Sequence, residues 1–341
     1  MNQAVELRDL KKSFRTRAAS APSFLGAICG LVSAKTQIFQ AVDGISFSIA
    51  RGERVAFIGP NGAGKSTTLK VLSGILQPDS GEVRVLGLEP AKQRETLGYR
   101  IGTVFGQRSQ LWQQLPASDS FRLLARVYDL PERVYRARLA ELVDIFALEA
   151  IVEQPVRKLS LGERMRCELV ASLLHAPELL FLDEPTIGLD VTAKARVRDL
   201  VRTQSERDGT AVLLTSHDTA DTERVCDRVI VINHGRLVFD QSLAALRTRF
   251  MKHKLVTLVA DKPELSLSMA GVRVLAREPY KTRLEVDVRV TPVASVIAAA
   301  LAQGTLHDLS VEDPPLEQIV QAIYEGTRPA NDEPEPERRA S

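Results

Sequence analysis

An α/β core with a largely parallel sheet, interrupted by a helical subdomain and followed by a small α+β domain, is the fold the sequence predicts. From about residue 41 to about residue 240, short β-branched runs alternate with longer helical patterns, as strands joined by helical crossovers do. Residues 117–148 keep apolar side chains at helical spacing with no strand among them. After about residue 240 the pattern turns to the alternation of half-exposed strands.

Taken in order, the core strands are RVAFIG from Arg54, IGTVFG from Ile101, ELLFLD from Glu178, AVLLTS from Ala211 and RVIVIN from Arg228. The helical stretch is marked by Leu123, Leu124, Val127 and Leu130, then by Val134, Leu139, Leu142, Val143 and Phe146, and it anchors an inserted subdomain of about 108–175. Beyond a first domain spanning 1–248, KLVTLVAD, GVRVLARE and TRLEVDVRV read as strands, while TPVASVIAAALAQ and PLEQIVQAIYE read as helices; together they predict an α+β accessory domain over 249–325. Residues 326–341, rich in Pro and charge with little to bury, are expected to be unstructured. The chain shows no internal repeat.

Composition narrows the function. With 341 residues the prior is two domains. Lys and Arg number 45 against 43 Asp and Glu, a net charge of +2, which argues against electrostatic nucleic-acid binding as the main activity. No apolar run approaches the roughly 18–20 residues of a membrane-spanning helix. The longest, FLGAICGLVSA from Phe24 and VASVIAAALA from Val293, are about half that. MNQAVELRDLKK lacks the pattern of a secretory signal, so cytoplasmic residence is expected. Cys29, Cys167 and Cys226 are far apart and outside any metal-ligand spacing, which predicts buried reduced thiols.

The most informative segment is GPNGAGKST at 59–67, which fits G-x-x-x-x-G-K-[ST] between the strand RVAFI and the helical STTLKVLSGI. Gly59, Gly62 and Gly64 let the backbone curl so that successive N–H groups, with those of Pro60's neighbours Asn61 and Ala63, face phosphate oxygens at a helix N-terminus. Lys65 would reach the β- and γ-phosphates, and the Ser66 hydroxyl, next to Thr67, would ligate Mg²⁺. Downstream, ELLFLDEP ends an apolar strand in Asp183 and Glu184 at the sheet edge where α/β ligands collect. Asp183 would hold Mg²⁺, and Glu184 would polarise the water that attacks the γ-phosphate; helix capping is the other use of such a pair. These motifs alone indicate a nucleotide hydrolase.

Further motifs select a family. LSLGE at 159–163, followed by RMRCELVASLLHAPELLFLDEPTIGLD, resembles the signature and Walker B region of ATP-binding-cassette (ABC) ATPases. Gln107 in VFGQRSQL is similar to the family's Q-loop, Gly188-Leu189-Asp190 to its D-loop, and His217 in LLTSHD to its switch histidine. The resemblance runs from about residue 5 to about 246, with the motifs in the family's order, and it implies a P-loop NTPase core of ABC type. Ser160 and Glu163 also spell a capping box, and both uses hold together if a free Ser160 hydroxyl and the Gly162 N–H form an anion site at the helix start.

The resemblance implies a homodimer that closes head to tail on ATP and Mg²⁺, with Ser160 and Gly162 touching the γ-phosphate in trans. His217 would contact the γ-phosphate and the attacking water. Gln107 would sense Mg²⁺ and couple the site to a partner, and Asp190 would join the nucleotide-binding set. Phe14 in LRDLKKSF resembles the aromatic that stacks on adenine. Two departures stand out: Leu161 and Glu163 replace the Gly and Gln of the commonest signature, LSGGQ, and Glu163 adds negative charge near the nucleotide edge.

Between Phe14 and the loop lies an insertion, 15–40, whose Phe24, Leu25, Ile28, Leu31 and Val32 recur at helical spacing between Arg15, Arg17 and Lys35. It predicts an amphipathic helix lying either against a membrane partner or on the protein's own sheet. Trp112 in QLWQQLP is an interface anchor or a core residue, and the basic stretch VRDLVRTQSER reads as a solvated face. The C-terminal domain would regulate hydrolysis or steady the dimer. The resemblance implies the ATPase subunit of a membrane transporter, an exporter of the drug-export subgroup. It would sit on the cytoplasmic face of the inner (plasma) membrane through separately encoded permease subunits. A soluble ABC ATPase acting on ribosomes or DNA is the alternative.

Overall fold

The computed structural model describes residues 3–17, 36–105, 109–216, 218–250 and 253–313, together with 319 and 321. The chain divides into two compact units, Met1–Gln241 and Ser242–Ser341. The predicted tail 326–341, most of PLEQIVQAIYE, Cys29, and the apolar residues Phe24 to Val32 of the insertion lie outside the described residues.

In the first unit, β1 (Gln3–Arg17), β2 (Thr36–Ala50) and β4 (Ser80–Val85) form an antiparallel sheet in the order β2-β1-β4. The second sheet has six strands: β3 (Arg54–Ile58), β5 (Ile101–Phe105), β6 (Leu179–Asp183), β7 (Ala211–Thr215), β8 (Arg228–Asn233) and β9 (Arg236–Ser242). Its order is β5-β6-β7-β3-β8-β9, and β5 through β8 pair in parallel. Each of the five strands predicted from the sequence is present. Their near-continuous apolar character has a simple cause, since a parallel strand covered on both faces has no solvated side; all of β7 is buried. The core between the sheets gathers Leu7, Leu10, Ile45 and Ile49 against Phe57 and Leu69, with the Phe47 and Phe57 rings 5.6 Å apart.

The insertion departs from expectation at its flanks. Residues Arg15–Arg17 and Thr36–Gln40 extend the ladder of β1 and β2, with Phe14 opposite Phe39 and Arg17 opposite Thr36, so these flanks are strand and not helix. The β-branched and aromatic run TQIF suits a pleated edge better than a helix.

The inserted helices are α3 (Ala117–Val127), α4 (Glu132–Ile145) and α5 (Leu161–Leu173), preceded in the chain by α1 (Lys65–Leu72) and α2 (Arg94–Gly98). Pro116 and Pro131 stand at the N-caps of α3 and α4, where a missing N–H costs nothing. Phe121 and Leu142 are fully buried, as are Leu169 and Val170 of α5. α6 (Val191–Asp208) and α7 (Thr219–Val225) complete the unit. Arg198 of α6 is not solvated as predicted: its side chain is 11% exposed and ion-paired.

The second unit contains α8 (Leu243–Phe250), β10 (His253–Ala260), β11 (Val272–Glu278), β12 (Lys281–Asp287), α9 (Val293–Leu301) and β13 (Leu306–Glu312). The strands form an antiparallel sheet, β11-β12-β10-β13, over a separate core of Val256, Leu258, Leu284, Val286, Val296 and Ala300. β13, not foreseen, is an edge strand whose Leu306, Leu309 and Val311 do not keep strict alternation, so its sequence lacks the period of a half-buried strand. No described helix is long and apolar enough to cross a membrane.

Candidate functional site

The phosphate loop leaves β3 at Ile58 and enters α1 at Lys65. Its glycines are required by contact and by conformation. A Cβ on Gly59 would stand 2.5 Å from the Ile232 carbonyl, and Gly64 holds φ +104 with the Ala41 carbonyl 2.4 Å from where its Cβ would lie. Gly62, at φ +81, has open space beside it. Lys65 is 6% exposed and donates through Nζ to the carbonyls of Gly59 at 2.6 Å and Pro60 at 3.2 Å. Burial lowers its pKa from the usual lysine range, opposed by the negative charges of Glu184 and Asp183.

Parallel register brings the carboxylates to this loop. β6 and β7 pair so that Asp183 stands opposite Thr215 at the strand ends, and Thr215 Oγ1 donates to Asp183 Oδ1 at 2.6 Å. Ser66 Oγ donates to the same oxygen at 3.4 Å. The Glu184 N–H donates to the Thr215 carbonyl at 3.0 Å and to its Oγ1 at 3.2 Å. Glu184 itself sits at φ +54, a left-handed conformation that is uncommon for a residue with a Cβ. Ser66 and Asp183 are hard oxygen donors on adjoining segments, a set suited to Mg²⁺, which is commonly held by one carboxylate, a hydroxyl and phosphate oxygens.

Two cavities meet here. The larger, of about 400 Å³, is lined by Phe14, Ser66, Thr67, Phe105, Asp183, Glu184 and Ile187, among others. The smaller, of about 170 Å³, is lined by Asn61 through Thr67 of the loop, by Ala41 and Glu184, and by Phe39. Phe14 therefore lies beside the loop cavity, while its cross-strand partner Phe39, half exposed, lines the loop cavity itself. Sequence reasoning missed Phe39 because it fell inside the insertion; an aromatic at the end of a strand leading to the loop was the available signal.

Gln107 and His217 lie outside the described residues. Their neighbours are well anchored. Glu168 of α5, 5% exposed, accepts from Ser109 Oγ and from the Gln110 N–H at 3.1 Å. Burial raises its pKa against these hydrogen bonds. The Asp218 N–H donates to Ser216 Oγ at 2.9 Å.

Ser160 is the N-cap of α5 and completes the capping box with Glu163. The expected free hydroxyl is not found. Ser160 Oγ donates to Glu163 Oε2 at 2.8 Å, while the Ser160 N–H donates to the same oxygen at 2.8 Å. These bonds hold the Glu163 carboxyl below its usual pKa. Among the described residues no hydrogen bond joins Ser160 to the phosphate loop. Leu161 instead meets the turn after Glu184: a Cβ on Gly188, at φ +73, would lie 2.8 Å from Leu161 Cδ2, and one on Gly162 would lie 3.1 Å from Ala193 Cβ. Asp190 is exposed and caps α6 by accepting from the Ala193 N–H at 2.8 Å. The Trp112 ring is 44% exposed, so it is not a core residue of this chain. Cys167 and Cys226 are buried free thiols; burial pushes Cys167 up to about 12 and Cys226 up as well, so neither is a nucleophile at neutral pH.

The pattern of the family described as "ABC transporter" matches residues 42–187. The chain is 33% identical over 291 residues to the "Daunorubicin resistance ATP-binding protein DrrA3" of Streptomyces coeruleorubidus, covering 82% of this chain and 90% of that protein. It is 33% identical over 246 residues to the "Nod factor export ATP-binding protein I" of Rhizobium sp. (strain N33), covering 72% and 78%. Among solved structures, an "ATP binding subunit of ABC transporter" superimposes with a TM-score of 0.59 at 28% identity, over 72% of this chain and 93% of that one.

Proposed function

We propose that this chain, which belongs to the ABC transporter family as an ATP-binding subunit, drives export by closing as a homodimer on ATP beneath separately encoded permease subunits. It is an ATPase that uses ATP and Mg²⁺. The family membership and the P-loop fold carry that much, and the names of its relatives, resistance to daunorubicin and export of Nod factor, favour outward transport. The same names do not favour the alternative, action on ribosomes or nucleic acid. The place of action in this reading is the cytoplasmic face of the plasma membrane, reached through the permease, as the transporter names of the relatives favour.

The observation that carries the chemical reading is the register of β6 against β7, which sets Asp183, Glu184 and Thr215 beside the phosphate loop. In this reading the loop from Gly59 to Thr67 cradles the phosphates through its N–H groups, and Lys65 leaves its two carbonyl partners for the β- and γ-phosphates. Ser66 and Asp183 hold Mg²⁺, which when bound supplies charge neutralisation to the transferred phosphoryl group. Glu184 orients the attacking water and takes up its proton. Gln107 and His217, assigned from the family resemblance alone, would complete the set, while Ser160, Gly162 and Asp190 act across the dimer. The outer cavity wall, with Phe14 and Phe39, receives the base.

The test is a Glu184→Gln chain, purified with its membrane partner. Hydrolysis is expected to fall by on the order of 10²- to 10⁴-fold, the usual worth of a general base, with ATP binding and ATP-driven pairing retained. Equal rates would remove Glu184 from its role. Recovery of the chain in washed membranes with a polytopic protein, and ATP-dependent extrusion of an apolar compound from vesicles, would support export; recovery with ribosomes would overturn it.

A further inference from the structure

Asp221, in the first turn of α7, is 1% exposed and is the meeting point of three segments. Its Oδ2 accepts from Thr186 Oγ1 and from Ser216 Oγ, each at 2.5 Å, and its Oδ1 accepts from Arg198 Nε at 2.5 Å. The same guanidinium reaches Asp218 Oδ2 at 2.9 Å, where Lys194 Nζ also donates at 2.8 Å. Thr186 and Ser216 are 3% and 5% exposed, so water does not substitute for these bonds.

A buried carboxylate needs one cation to be neutralised, and Arg198 supplies it. The two hydroxyls do something else: they fix where two loops lie. Thr186 is two residues beyond Glu184, in a turn closed by the Ile187 and Leu189 N–H groups on the Glu184 and Thr186 carbonyls, each at 3.2 Å. Ser216 precedes His217 in the chain. Arg198 and Lys194 stand one turn apart on α6, the helix whose N-cap is Asp190. One side chain thus ties the turn that carries Glu184, the strand end that leads to His217, and the helix that Asp190 caps.

We propose that Asp221 is a positioning residue for hydrolysis, holding the turn after Glu184 in register with helix α6 and with the end of β7 through its bonds to Thr186, Arg198 and Ser216. The inference rests on the assignment of Glu184 above. A displacement of Glu184 by a fraction of an ångström misplaces the attacking water while leaving the phosphate loop, and so ATP binding, untouched.

The experiment measures kcat, KM for ATP and melting temperature on the full chain with its membrane partner. Thr186→Val removes one donor to Asp221 without unpairing the Arg198 charge. It is expected to lower kcat on the order of tenfold while KM stays within about twofold, because geometry is lost and binding is not. Thr186→Ser, which keeps the hydroxyl, is expected to recover kcat, and Ser216→Ala to repeat the loss should Thr186→Val fail to fold. Unchanged kcat in Thr186→Val and Ser216→Ala overturns the proposal. So does a loss accompanied by an equal rise in KM and a lowered melting temperature that Thr186→Ser shares, the mark of a merely structural bond. Glu184→Gln, run alongside, separates the two readings. If it abolishes turnover while Thr186→Val is unaffected, only this inference fails; if it keeps the wild-type rate, the assignment of Glu184 fails and takes this inference with it.

Discussion

Glu163 shows how one side chain serves helix and site in opposite senses. It closes the capping box with Ser160, and a negative charge there also suits the positive end of α5. Its pKa is held below the carboxylate norm by the Ser160 bonds, so it stays charged at neutral pH at the helix start to which family resemblance assigns a partner's γ-phosphate. Glu163→Gln keeps an acceptor for the cap and removes the charge. In a Glu184→Gln background it is expected to lower the ATP concentration needed for pairing by about two- to fivefold, the worth of a surface charge near a helix end, as read by analytical ultracentrifugation. An unchanged or raised requirement would show that Glu163 does not oppose closure. At this scale the clustering of Lys65, Ser66, Asp183 and Glu184 was legible because chemistry and spacing coincide there. What escaped was partnership: the engaged Ser160 hydroxyl, the Phe39 ring on the loop cavity and the burial of Arg198 depend on residues distant in sequence.

Among elements, the helical subdomain meets the parallel sheet at a small aromatic joint. Tyr128, just past the end of α3, stacks on His175, two residues past α5, with ring centroids 3.9 Å apart and planes within 10°. Tyr99, just before β5, meets Tyr128 edge-on at 6.2 Å. His175 Nε2 lies 3.0 Å from the Ile101 carbonyl and so carries the proton, leaving Nδ1 buried without a partner. Burial lowers the His175 pKa from 6.5 to about 4, outweighing that hydrogen bond. The folded state therefore resists a proton that the unfolded chain accepts. Stability is full above pH 6.5 and is lost progressively as pH falls from about 6.5 towards 4. His175→Gln is expected to flatten that part of the pH dependence of the melting temperature; a slope identical to the parent's would assign it to other groups. The parallel strands were legible because they are apolar throughout. β1, β2 and β4 were not, since half of each faces away from the core, and the β1–β2 extension was masked by apolar residues at helical intervals between its ends.

At the scale of the whole molecule, the described residues include one hydrophobic core around Phe57 and Leu69 and another, sharing no residue with it, around Leu258 and Leu284. A core is the unit of cooperative unfolding, so each is expected to melt in its own transition. The phosphate loop and both carboxylates belong to the first unit alone. ATP bound there stabilises that unit by RT ln(1 + [L]/Kd), about 2.7 kcal/mol at a hundredfold excess over Kd, and leaves the second where it was. Leu258→Ala, which empties a fully buried position beneath the four-stranded sheet, is expected to cost that sheet about 2–5 kcal/mol. Calorimetry of the Glu184→Gln chain with and without MgATP reads both effects at once: nucleotide should raise one transition, and Leu258→Ala should lower the other. A single transition that moves with either change would mean that the accessory domain is energetically part of the ATPase, and that its sheet is a structural support for nucleotide binding instead of a separately folded attachment.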